Sequence, residues 1–123
     1  MIGLIALLLS SPTYNLDEVT VKQGDTPPTI IAKVMKGYDL CLYSNARRYA
    51  LGTNETADVV VESTLGSCSQ WDSTYRDAII LLVPSLPPHD VDDLIARFKS
   101  TRRPQLSAYV LDTRMKKRAR RRN

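Results

Sequence analysis

The sequence predicts a three-layer α/β fold built on a mostly parallel, Rossmann-like sheet, and three observations predict it. An unbroken apolar run from Ala78 to Val83 is followed by the turn Pro84-Ser85-Leu86-Pro87-Pro88 and a helical pattern up to Lys99. That is the order in which a parallel strand hands over to its crossover helix. Within the pattern Val91, Leu94, Ile95 and Phe98 fall at i, i+3, i+4 and i+7, a single apolar stripe. Short aliphatic or β-branched runs alternate with helical segments elsewhere, which argues for crossovers covering both faces of a sheet.

Taken in order, Ile2 to Leu9 reads as a first, inner strand. The same run has the length of a signal-peptide apolar region, although neither Lys nor Arg precedes it and no clear small-x-small cleavage site follows. It falls well short of the ~20 residues that span a bilayer. Ser10 to Gly24 is a polar loop with a short extended piece at Val19–Val21. Pro27 and Pro28 open a helix with Ile30, Ile31, Val34 and Met35 on its buried side, and Gly37 ends it. Asp39 to Ser44 is a second strand, Asn45 to Leu51 a helical turn closed by Gly52, and Ala57 to Glu62 a third strand. Leu65 to Tyr75, holding Trp71, reads as loop or weak helix. Ala78 to Val83 is the fourth strand; Asp90 caps the helix after it and Arg102-Arg103-Pro104 stops that helix. Leu106 to Asp112 is the fifth strand. Residues 1–112 thus form one domain, and residues 113–123 a basic disordered tail.

With 43% hydrophobic and 24% charged residues over 123 positions, the chain is a single globular domain. Its net charge of +4 conceals an asymmetry. Arg114, Lys116, Lys117, Arg118, Arg120, Arg121 and Arg122 are seven of the 17 basic residues, leaving ten against 13 acidic residues elsewhere. These seven are the candidate polyanion-binding residues. Without an aromatic to stack on bases, they would bind nucleic acid through phosphates and without sequence preference. Cys41, Cys68 and a lone histidine, His89, are too few ligands for a zinc site, and no metal site is assigned. A buried free thiol is the ordinary reading of Cys41; a Cys41–Cys68 disulfide belongs with an exported chain, as would glycosylation of the sequon Asn54-Glu55-Thr56. Asp90, Asp92 and Asp93 read as a dipole-compensated helix start, and His89 as a surface turn residue.

Four segments in order carry a resemblance to a family. Gly3-Leu4-Ile5, Pro27-Pro28-Thr29-Ile30-Ile31, Leu42-Tyr43-Ser44-Asn45-Ala46-Arg47-Arg48-Tyr49-Ala50-Leu51-Gly52 and Leu82-Val83-Pro84-Ser85-Leu86-Pro87-Pro88 resemble pieces of the nucleotidyltransferases that include the molybdenum-cofactor guanylyltransferases. The resemblance implies the nucleotide-diphospho-sugar transferase topology, with GTP and Mg²⁺ as cofactors if the ancestral activity survives.

The departures fall on the chemistry. Where the family has a glycine pair this chain has Leu8-Leu9; its Arg falls on Thr13, its Lys on Glu18 and its metal-binding Asp on Leu86. Apolar side chains fill the phosphate cradle and a carboxylate replaces its ammonium. The nucleotide-binding candidates that remain are Ser10, Ser11, Asp17, Asn45, Glu62 and Ser85, at or near the carboxyl ends of the expected strands. The resemblance therefore implies a pseudoenzyme with weak or lost nucleotidyl transfer, and no catalytic residue is assigned. Two alternatives stand beside it: a small secreted interaction domain with one disulfide, and a polyanion-binding accessory protein acting through its tail. The expected location is cytoplasmic, with secretion as the alternative, and no transmembrane segment is expected.

Overall fold

A computed structural model describes residues 18–122 as four α-helices: α1 over Pro27–Gly52, α2 over Ala57–Ser67, α3 over Gln70–Leu82 and α4 over Pro88–Arg122. No strand occurs among the described residues, which overturns the α/β, Rossmann-like expectation. The strand assigned to Ile2–Leu9 lies outside them. The other four expected strands are helical: Asp39–Ser44 lies within α1, Ala57–Glu62 within α2, Ala78–Leu82 in the last turns of α3 with Val83 as its C-cap, and Leu106–Asp112 within α4.

The physical reason is visible in what each run buries. A strand buried on both faces would hide every residue of an apolar stretch. Here Val60 and Val61 are buried while Val59 is 44% exposed, and Ala78 and Ile79 are buried while Ile80 to Val83 are at least 40% exposed. These runs bury one helical side each, and tertiary packing of that side outweighs the strand preference of Val and Ile.

Helix α1 runs straight through Gly37, where a helix end is expected. Gly37 packs against the six-membered ring of Trp71, and a Cβ at this position would overlap that ring. The glycine is there for close approach of α3. On one side of α1, Val34, Tyr38, Cys41, Leu42, Ala46 and Ala50 are buried at helical spacing, so a single stripe spans the segments read separately as helix, strand and turn.

Helix α4 likewise continues past Pro104. Proline removes one N–H, and its ring crowds the carbonyl four residues back. That residue, Ser100, is exposed, as is Pro104, so water reaches the carbonyl left without its helical donor. The inner stripe of α4 then runs Val91, Ile95, Phe98, Leu106, Val110 and Thr113.

Helices α1 and α4 are parallel. Tyr38 meets Phe98 with ring centroids 4.8 Å apart, Tyr43 meets Tyr109 at 5.0 Å, and the Lys117 ammonium reaches the Leu51 carbonyl. Helix α3 runs antiparallel to α4, since Asp72 pairs with Lys99 and Arg76 with Asp92. A Cys41–Cys68 disulfide joins the middle of α1 to the C-cap of α2, where a buried free thiol was the ordinary expectation at Cys41. It closes a loop over a sequence separation of 27, and restricting the unfolded chain in this way contributes about 3 kcal/mol.

Candidate polyanion-binding surface

Two clusters of charge differ in what they do with it. The first lies between α1, α3 and α4. Tyr38 Oη donates to Asp72 Oδ1 at 2.6 Å, and Lys99 Nζ donates to Asp72 Oδ2 at 2.6 Å. One turn away, the Arg102 guanidinium forks onto both oxygens of Asp39 at 3.0 Å while lying 4.1 Å over the Phe98 ring. Burial and the hydrogen bond to the Asp72 carboxylate both raise the pKa of the Tyr38 phenol. Burial raises that of Tyr75, whose ring meets Phe98 edge-on. The fork with Asp39 raises that of Arg102. Each charge in this cluster has a designated partner, the arrangement of a structural network holding three helices in register. No group of His, Cys, Asp and Glu that could hold a metal ion is found among the described residues.

The second cluster is the end of α4. Where a disordered tail is expected, residues 113–122 form the last turns of that helix, with Thr113 buried. The chain is held by two of the seven basic residues. Arg114 donates through Nε to the Ala50 carbonyl at 3.0 Å and through Nη2 to that of Thr53 at 3.2 Å, and Lys117 donates to that of Leu51 at 2.9 Å. These carbonyls belong to the end of α1, where the last turn leaves acceptors without helical donors and the helix dipole favours cations. Arg114 and Lys117 therefore act as caps for another helix.

Beyond them the cations are placed differently. Lys116 pairs with Asp112 at 3.0 Å on the helix surface. Arg118, Arg120, Arg121 and Arg122 are all exposed and form no ion pair among the described residues. Arg118 to Arg122 follow Lys117, the last α4 residue seen to bond to α1. A run of unpaired guanidinium groups on a helix end already docked by Arg114 and Lys117 requires little ordering on meeting an anion.

The nucleotide-binding candidates do not converge. Ser10, Ser11 and Asp17 lie outside the described residues. Asn45 is turned inward, its amide donating to the Cys41 carbonyl at 2.9 Å and approaching both disulfide sulfurs at 3.4 Å, while its oxygen accepts from Arg48. Glu62 is exposed on α2 and pairs with Arg103 of α4. Ser85 sits exposed in the α3–α4 connection. No hydrogen bond or ion pair joins any two of these three, and the described residues form no sheet on which the site of the resembled family could be built. His89, read as a surface turn residue, is exposed but lies in the first turn of α4, beside Asp90. Trp71 is buried in the core and Asn54 of the sequon is exposed between α1 and α2.

Comparison with family models, curated proteins and solved structures finds no match to this chain. No described helix is long and apolar enough to cross a membrane. What sequence reasoning missed was the capping role of Arg114 and Lys117. The signal available was their spacing: they lie on the same side of a helix as Val110 and Thr113.

Proposed function

We propose that this chain is a small, disulfide-stapled helical binding domain that takes polyanions through the exposed end of α4. The observation that supports it is the set of Arg118, Arg120, Arg121 and Arg122, exposed and without ion pairs on a helix that Arg114 and Lys117 hold in place. Its ligands are polymers with closely spaced phosphate or sulfate groups, bound by charge and without sequence readout. The Cys41–Cys68 bond supports an oxidising compartment as the place of action, since thiols are kept reduced elsewhere.

Anisotropy titration of a labelled duplex DNA at low salt tests the reading. The protein is expected to bind, and the triple variant Arg118→Ser, Arg121→Ser, Arg122→Ser to bind at least about tenfold more weakly with an unchanged circular dichroism spectrum. Equal affinity of the two proteins would refute it.

A further inference from the structure

Opposite the face that packs on α1, helix α4 carries a second stripe. Leu94, Arg97, Thr101, Pro104, Ala108, Leu111 and Met115 are all exposed and recur at alternating intervals of three and four residues, the repeat of a coiled-coil seam. Five of the seven are apolar, and Leu111 and Met115 are 53% and 63% exposed one turn apart. A surface helix needs one apolar stripe to join its core. Helix α4 has that stripe already, from Val91 to Thr113, and among the described residues the outer one is left exposed. From Leu94 to Met115 it extends about 32 Å along the helix.

The charges bordering the two ends of this seam are opposite. Asp90 and Asp93 flank it in the first turns, and Arg118 and Arg122 continue its spacing at the other end. Asp93, Arg118 and Arg122 form no ion pair among the described residues. Laid against a parallel copy, arginines would face arginines and carboxylates would face carboxylates. An antiparallel copy brings each basic end onto the other's acidic end and sets the two helix dipoles head to tail. Near the centre, Ala108 offers little bulk, so the two backbones can approach closely.

We propose that the outer seam of α4 is a self-association surface that takes a second copy of this chain in antiparallel orientation. Arg120 and Arg121 point away from the seam by the helical period and remain open to polyanions in the dimer. The inference therefore does not rest on polyanion binding, and its test contains no polyanion.

The test is sedimentation velocity of the full chain from about 1 to 100 μM at low salt. A monomer–dimer equilibrium that weakens as salt rises is expected. Leu111→Asp should raise the dissociation constant at least about tenfold, because the dimer would bury an unpaired carboxylate. Circular dichroism of that variant should be unchanged, since Leu111 is exposed. Asp93→Arg and Arg118→Asp should each weaken the dimer several-fold, and the two together should restore it to within about twofold. Residues 93 and 118 lie about 37 Å apart along one helix, so only antiparallel copies can show that rescue. A monomer throughout the range, whatever covers the seam, overturns the proposal. A dimer indifferent to Leu111→Asp, or single charge variants without rescue, overturns it too.

Discussion

The middle of the bundle and the end of α4 hold similar numbers of charged side chains and treat them in opposite ways. Between α1, α3 and α4, Asp72 accepts from both Tyr38 and Lys99, and Arg102 forks onto Asp39. Past Lys117, four arginines stand exposed without a carboxylate. Pairing in the first region fixes the register of three helices; its absence in the second leaves cations whose field acts outward. A charge that already has a geometry contributes to the fold, and one held in place without a partner is available for a ligand.

If the middle is a packed, paired region, damage there should unfold the protein. The largest expected effect is at Gly37. Gly37→Val places a branched side chain where Trp71 lies, and overpacking of this kind costs about 3 kcal/mol, to be read as a lower urea midpoint at unchanged slope. Asp72→Ala comes next. It removes the acceptor of Tyr38 and the counter-charge of Lys99, whose side chain is 28% exposed, so water offsets part of the loss. A destabilisation of about 2 kcal/mol by the same measurement is expected, and none would show that the Tyr38–Asp72–Lys99 contacts are incidental.

Alkaline pH probes the same region without mutation. Tyr38 and Tyr75 have pKa values raised in the folded state, chiefly by burial. Above about pH 10 the unfolded chain loses these protons while the folded chain keeps them, so the unfolded state binds fewer protons and stability falls as pH rises. Thermal melts between pH 9 and 11 should show that decline, and Tyr38→Phe should flatten it. The smallest effect is expected at the surface pair Arg103–Glu62, both members well exposed. Arg103→Ala should stay within about 0.5 kcal/mol, and a larger loss would mean that the paired region extends onto the outside of α2.

Parts of this fold were legible in the sequence. The start of α1 at Pro27 and the amphipathic start of α4 follow from Pro placement and from Val91, Ile95 and Phe98, although Leu94, assigned to the same stripe, points outward. The expected sheet is overturned because the helical period runs on through local punctuation. Gly37 suggested a helix end, yet Val34, Tyr38, Cys41-Leu42, Ala46 and Ala50 keep one helical period across it. Pro104 suggested a stop, yet Phe98, Leu106, Val110 and Thr113 carry the stripe past it. Both residues are explained only by tertiary context: a close approach of Trp71 in one case, an exposed side of α4 in the other. The basic cluster was visible as composition. Its division into caps and free cations was not, because that depends on where α1 ends against α4.

The central claim is that the free end of α4 binds polyanions through charge, and the salt dependence of duplex DNA binding tests it most directly. With Arg118, Arg120, Arg121 and Arg122 available, the logarithm of the association constant should fall linearly with the logarithm of salt concentration. Counterion release at three or four phosphates gives a slope of about −3 to −4. A slope near zero, or a slope unchanged by replacing Arg118, Arg121 and Arg122 with serine, would contradict the account.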